Sequence, residues 1–187
     1  YTSVMLDYSA RSYEENAAAL RRAVALARPL GVTVEGELGA VGRADNVTVE
    51  GSTVSTLTAP ADAARFVADT GIDALAVSIG NAHGLYTRLP VFDFDRLAAI
   101  RRAVSVPLVL HGGSGTPASD LRRCIDLGVA KINIASELAR AFRGHVETAW
   151  RDGDRRWMPV LLGEAMKPVA EVAARWIRTT GAAGRAA

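Results

Sequence analysis

Cysteine, lysine and histidine are scarce in this 187-residue chain, with one, two and three copies respectively. A lone cysteine, Cys124, leaves no disulfide framework and no thiolate metal cluster. It falls mid-helix in Asp-Leu-Arg-Arg-Cys-Ile-Asp-Leu-Gly, where a half-buried structural thiol is expected. Of the two lysines, Lys131 begins a strand-like Lys-Ile-Asn and is expected at the end of that strand away from the chemistry, which argues against a Schiff-base mechanism. No apolar stretch approaches the roughly 18 residues of a membrane span, and no signal-peptide pattern opens the chain. A soluble, cytoplasmic protein is expected. Net charge is only +2, and the arginines recur as pairs (Arg21-Arg22, Arg101-Arg102, Arg122-Arg123, Arg155-Arg156) at helical positions. Such pairs describe solvated helix faces rather than a nucleic-acid groove, so neither nucleic acid nor membrane is an expected partner.

What the chain does contain is a repeated strand–helix alternation. Strands are expected at 2–7, 32–38, 74–80, 106–110 and 130–134. Each apolar, β-branched run suits a parallel sheet covered on both faces. Ser12-x-x-Glu15 has the form of a capping box for the first helix, which Gly31 ends. Thr116-Pro117 offers an N-cap with proline at the first helical position, and Gly128 terminates that helix. A helix is expected to about Trp150 and a last one from about Val160 to Thr180, kinked or restarted at Pro168. Residues 39–58 form a long polar loop, of a length that is usually functional or disordered. Five βα units fall short of the eight, and the roughly 250 residues, of a closed barrel. The expected fold is an incomplete (β/α)8 TIM barrel in one domain, 1–187, with about five units present and three preceding ones absent; an open five-stranded sheet is the alternative.

Polar residues gather at the C-terminal ends of these strands, where barrel enzymes keep their chemistry. Two strands end in His-Gly, at His83-Gly84 and His111-Gly112. Two neutral imidazoles on adjacent strand ends are suited to one metal ion. Glu35 and Glu37 alternate along one strand and therefore share a face. An inward carboxylate there needs a metal, a histidine or a donor, so Glu37 is a candidate functional group, with a structural ion pair as the alternative. His145 falls on an apolar helix face with Leu138, Ala141 and Phe142 and is expected to be a packed structural residue. Gly112-Gly113-Ser114-Gly115 is a turn whose backbone N–H groups are able to converge on an anion. With Asn133-Ile134-Ala135-Ser136 ending the next strand, it matches the usual placement of a barrel phosphate site. A phosphorylated substrate beside a histidine-bound metal is the joint expectation.

At these residues the chain resembles the class II, metal-dependent ketose-bisphosphate aldolases, most of all the tagatose-bisphosphate branch. The resemblance rests on Thr-Ser-Val-Met-Leu-Asp, the Glu-Glu-Asn of the first helix, Val-Glu-Gly-Glu-Leu-Gly, Gly-Asn-Ala-His-Gly, Leu-Val-Leu-His-Gly-Gly-Ser-Gly and Lys-Ile-Asn-Ile-Ala-Ser-Glu-Leu, in that order. It implies that His83 and His111 ligate Zn2+. It also implies that Gly84, Gly112, Gly113 and Ser114 help hold dihydroxyacetone phosphate, and that Asn133, Ile134, Ala135 and Ser136 complete its phosphate and enediolate site, with Asn133 and Glu37 as catalytic groups. The implied reaction is reversible cleavage of a ketose 1,6-bisphosphate, fructose or tagatose type, to dihydroxyacetone phosphate and glyceraldehyde 3-phosphate, in a homo-oligomer (dimer or tetramer).

The chain departs from the family in two places. It has no His-x-Asp-His segment, from which the family takes a further zinc histidine and its proton-donating aspartate, and Asp7 matches a different aspartate. The family's acidic Gly-Gly-x-Glu-Asp loop is replaced by Gly42-Arg43-Ala44-Asp45-Asn46, with Asp45 a weak substitute. The chain alone is therefore expected to be nearly inactive, and its exposed sheet edges to promote association. A non-catalytic phosphosugar-binding or regulatory subunit of the same fold is the alternative. A metal-independent phosphate-binding isomerase barrel is disfavoured by the two His-Gly turns.

Overall fold

A computed structural model describes residues 1–43, 56–86 and 89–185. The chain divides into two compact units, Tyr1–Asn133 and Ile134–Ala187. Asp45 lies outside the described residues, as does most of the loop that carries it.

The first unit is built on a five-stranded, wholly parallel sheet of β1 (Ser3–Leu6), β2 (Thr33–Leu38), β4 (Ala74–Val77), β6 (Leu108–Leu110) and β7 (Val129–Ile132), side by side in that order. Four helices return the chain between successive strands: α1 (Tyr13–Ala27), α2 (Pro60–Thr70), α3 (Phe94–Ala103) and α4 (Ala118–Asp126). This is the strand–helix alternation read from sequence, with the first four strands trimmed by a residue or more and the last displaced to begin at Val129.

Local signals explain most of the helix ends. Ser12 Oγ accepts the Glu15 N–H at 3.2 Å while Glu15 Oε2 accepts the Ser12 N–H at 3.1 Å, completing the expected capping box. After α1 a single 3-10 turn, Arg28–Leu30, leads to Gly31 in the left-handed conformation. Asp93 caps α3 by accepting the Arg96 N–H. The expectation at Thr116 needs correcting. α4 starts at Ala118 with Pro117 as its N-cap and no capping side chain, because Pro117 is extended (ψ 137°) and Thr116 is buried.

The core of this unit lies between sheet and helices and includes Leu20, Phe66, Leu75, Leu97, Ile100 and Leu121, all fully buried. Gly36 faces the helices between two glutamates that face the other way. A Cβ there would sit 2.6 Å from Cδ1 of Leu20, so glycine lets α1 approach the strand. Cys124 is completely buried in α4 rather than half-buried.

A second, two-stranded parallel sheet was not apparent from sequence. It pairs β3 (Gly42–Arg43) with β5 (Ala82–His83), the latter carrying one of the two histidines. β3 falls inside the stretch expected to be loop.

The second unit contains α5 (Ser136–Arg151) and α6 (Met158–Thr179). Val146, Leu161 and Ala165 form its buried centre, with Phe142 and Ala149 against them. α6 runs through Pro168 without a break. The helix is tied to α5 on both sides of the proline, through Leu161 and Ala165 before it and through Trp176 Nε1, which donates to Glu137 Oε2, after it. Tertiary packing of this kind offsets the missing backbone bond. His145 is half-buried in α5 as expected. Among the described residues no helix is long and apolar enough to cross a membrane.

Candidate active site

Strand register decides which side chains meet. Glu37 is aligned with Ala76, Ala76 with Val109, and Val109 with Lys131. Side chains alternate with period two, so Glu35, Glu37, Val109, His111 and Lys131 all lie on the same face of the sheet, opposite the helices.

On that face His111 is held between the two glutamates. Its Nε2 lies 2.9 Å from Glu35 Oε1 and its Nδ1 3.2 Å from Glu37 Oε2. All three side chains are buried, Glu37 to 1% exposure. Burial pulls the His111 pKa down, but the two carboxylates outweigh it and raise it to about 9. Burial likewise pushes the Glu35 pKa up, yet the bonds from His111 and Lys131 hold it below the usual carboxylate range. The two carboxylates thus favour the charged form of the His111 ring.

The two glutamates are held differently. Glu35 has both oxygens engaged, Oε1 by His111 and Oε2 by Lys131 Nζ at 2.8 Å. Glu37 Oε1 accepts from Ser9 Oγ at 3.2 Å and from the Val41 N–H at 3.4 Å. Its Oε2 is buried without a hydrogen-bond partner, the 3.2 Å contact to His111 being poorly aligned. The Asn16 side chain anchors the backbone beneath it by donating to the Glu37 carbonyl at 2.9 Å.

His83 comes to the same place. The two imidazole centroids are 5.6 Å apart with the rings tilted by 55°. Tyr86 and Asn81 set this approach. The Tyr86 hydroxyl accepts the Ala82 N–H and donates to the Gly112 carbonyl, both at 2.9 Å, tying together the turns that carry the histidines. Asn81 Nδ2 donates to the His111 carbonyl at 3.1 Å, while its Oδ1 accepts the Ile79 N–H. Gly112 has φ +67°, and a Cβ there would fall 1.9 Å from the Ala82 carbonyl oxygen, so only glycine permits the contact.

The glycine turn is less open to an anion than the sequence suggests. The Gly113 N–H is spent on the Asn133 carbonyl at 3.0 Å, and the Thr116 N–H on the Gly113 carbonyl. Ser114 is buried beside them, and Gly84 also has positive φ. Asn133 follows the C-terminal end of β7 and closes the first unit, its N–H on the Leu110 carbonyl. Ile134, Ala135 and Ser136 open the second unit, with Ser136 the first residue of α5.

Lys131 contradicts the sequence-based expectation. It meets Glu35 in the middle of the cluster. The cause is an irregularity in the β6–β7 ladder between Leu108 and Val109, where Leu108 pairs with Val129 but Val109 with Lys131. The extra residue, Ala130, shifts the alternation by one and brings Lys131 onto the glutamate face. Ser9, Asn81 and Tyr86 were likewise not singled out. Asn81 lies within the Gly-Asn-Ala-His-Gly motif and was the one with a sequence signal.

Two imidazoles and a buried carboxylate oxygen lacking a partner have the donor chemistry of a divalent transition-metal site. Among the described residues, however, no group of three or more His, Cys, Asp or Glu side chains is placed to hold a metal ion.

Residues 1–185 match the family of class-II fructose-bisphosphate aldolases. Similar solved structures include the YdjI aldolase of Escherichia coli K12, 40% identical with a TM-score of 0.83 over 100% of this chain. A fructose-1,6-bisphosphate aldolase candidate from Coccidioides immitis is 31% identical with a TM-score of 0.85 over 98% of the chain. The fructose-bisphosphate aldolase of Campylobacter jejuni is 25% identical with a TM-score of 0.75 over 97%. The chain spans 63%, 64% and 61% of those three proteins, in keeping with five units of an eight-unit barrel. The chain belongs to the class II fructose-bisphosphate aldolase family.

Proposed function

We propose that this chain carries the metal- and phosphate-binding strand ends of a zinc-dependent aldolase that reversibly cleaves a ketose 1,6-bisphosphate to dihydroxyacetone phosphate and glyceraldehyde 3-phosphate. The observation that carries this reading is the approach of His83 to His111, with the partnerless Glu37 oxygen beside the latter. His83 and His111 would hold Zn2+ together with a further ligand of the kind the family takes from a His-x-Asp-His segment, which this sequence does not contain. When bound, zinc supplies a Lewis acid for the ketone and hydroxyl oxygens of the substrate. Glu37 then acts as the buried base or counter-charge beside it, and Asn133 orients the reacting oxygens. Gly84, Gly112, Gly113 and Ser114 supply the first unit's share of the phosphate end. Phosphate contacts provide binding energy that positions the reacting carbons.

Family membership over residues 1–185 supports reading the chain as a single domain. The reading also carries a cytoplasmic location, a homo-oligomer, and little activity from the chain by itself, since no His-x-Asp-His segment occurs in it.

Zinc calorimetry of the chain, with His83→Ala and His111→Ala alongside, tests this. Binding near one ion per chain, strongly weakened in both variants, is expected. A parent that takes up no zinc yet binds dihydroxyacetone phosphate would instead favour a non-catalytic binding subunit.

A further inference from the structure

We propose that Lys131 is a positioning residue for His111: by holding Oε2 of Glu35 it fixes Oε1 on the imidazole Nε2, so that the ring presents Nδ1 to a bound metal. The metal consequence rests on the function proposed above, whereas the hydrogen-bond arrangement does not.

Three observations carry the inference. The first is the chain of contacts, Lys131 Nζ to Glu35 Oε2 at 2.8 Å and Glu35 Oε1 to His111 Nε2 at 2.9 Å. It fills both oxygens of Glu35 and closes the Nε2 side of the ring. On the other side, Glu37 Oε2 has no hydrogen-bond partner, so Nδ1 faces the one carboxylate oxygen of the pair still able to take a cation.

The second is charge balance. Two buried carboxylates are costly without compensation. Lys131 Nζ, 2.8 Å from Glu35 Oε2, compensates Glu35 within the cluster. Metal-bound histidines generally depend on such a carboxylate to fix tautomer and ring orientation.

The third is the irregularity in the β6–β7 ladder. A regular ladder would put Ala130 on the glutamate face, and the extra residue puts Lys131 there instead. Such irregularities characteristically re-aim a side chain beside a functional site. The Lys131 side chain is 51% exposed while that of Glu35 is 6% exposed. A half-exposed cation adds little to stability. Its contribution here is orientation, and an isosteric neutral side chain is compatible with folding.

The test uses the full chain labelled with 15N-histidine, as wild type, Lys131→Met, Lys131→Arg, Glu35→Gln and the Lys131→Met/Glu35→Gln double variant. Imidazole NMR in chelator reports the His111 Nε2–H, assigned by its loss in His111→Gln. Zinc titration of the same proteins follows. A slowly exchanging Nε2–H is expected in the wild type, with markedly faster exchange in Lys131→Met and partial recovery in Lys131→Arg. Zinc affinity should fall roughly 10–100-fold in Lys131→Met, the range for loss of an outer-shell partner. It should fall no further in the double variant than in Glu35→Gln alone. An Nε2–H that is absent in the wild type, or that exchanges equally fast in wild type and Lys131→Met, would overturn the proposal. Additive losses of affinity in the double variant would do the same, because Lys131 would then act independently of Glu35. A wild type that takes up no zinc removes the metal reading, and the NMR comparison then decides the role of Lys131 by itself.

Discussion

Nδ1 of His111 lies 3.2 Å from Oε2 of Glu37, a buried oxygen with no hydrogen-bond partner, while the other oxygen of Glu37 is held by Ser9 and Val41. Glu37→Gln keeps an acceptor for Ser9 and Val41 but turns an amide toward the ring. Loss of the charge should weaken zinc binding by roughly 10–100-fold. Misfit of the buried polar group should lower stability by about 1–3 kcal/mol. Calorimetry and urea unfolding read the two effects separately. Undiminished affinity would remove Glu37 from the metal's surroundings.

Gly112 and Gly31 share nearly the same backbone, φ +67° and +68°, but not the same surroundings. A Cβ at Gly31 meets nothing within 4 Å, whereas one at Gly112 falls 1.9 Å from the Ala82 carbonyl oxygen. Gly31→Ala should therefore cost only the left-handed strain of about 1–2 kcal/mol. Gly112→Ala adds a clash with backbone and must push apart the turns that carry His83 and His111. Thermal unfolding should show a clearly larger drop for Gly112→Ala, and the same variant should lose zinc affinity while Gly31→Ala keeps it. Equal melting shifts would contradict the close approach.

Tyr86 makes the same approach from the side chain. Tyr86→Phe deletes the hydroxyl between the Ala82 N–H and the Gly112 carbonyl and leaves the ring in place. Two backbone groups then lose their partner, at about 1–3 kcal/mol. The loss should be local. Amide exchange at Ala82 should speed up well before that of the buried strand residues Leu75 and Val77, and uniform acceleration would indicate a global role instead.

The legible parts of this protein are those set by periodicity and local chemistry. Apolar runs gave the five main strands, and the capping box at Ser12 and Glu15 gave the start of α1. The shared face of Glu35 and Glu37 followed from a period of two along one strand. What escaped depends on events between strands. The irregularity at Leu108 and Val109 leaves no trace in the alternation of β7, so the surroundings of Lys131 do not follow from the sequence. The β3–β5 pair is two residues long on each side, too short for any repeat to register. Pro168 was read as a helix breaker because a local rule does not see α5 holding both halves of α6.

Cys124 offers a test of the core that is independent of any metal. Its thiol is fully buried, and burial, reinforced by Asp120 and opposed by Arg123, pushes its pKa from the ordinary 9 up to about 12. At pH 8 the thiol is protonated and enclosed, so iodoacetamide should leave it untouched in the native chain and modify it once urea unfolds the protein. Below about pH 9 the thiol is protonated in both states and contributes no pH dependence. Above that, the unfolded chain releases the proton while the folded chain keeps it, so stability falls as pH rises toward 12. The slope from this one group is at most about 1.4 kcal/mol per pH unit. Tyr13, raised from 10 to about 12 chiefly by burial and by its bond to Asp69, adds a decline of the same sign beginning one unit higher. Urea unfolding of wild type and Cys124→Ala between pH 8.5 and 10 isolates the cysteine. The variant should start lower, having lost buried sulfur, but decline less steeply. Parallel curves, or rapid alkylation of the native chain at pH 8, would mean that the α4 face carrying Cys124 opens to solvent.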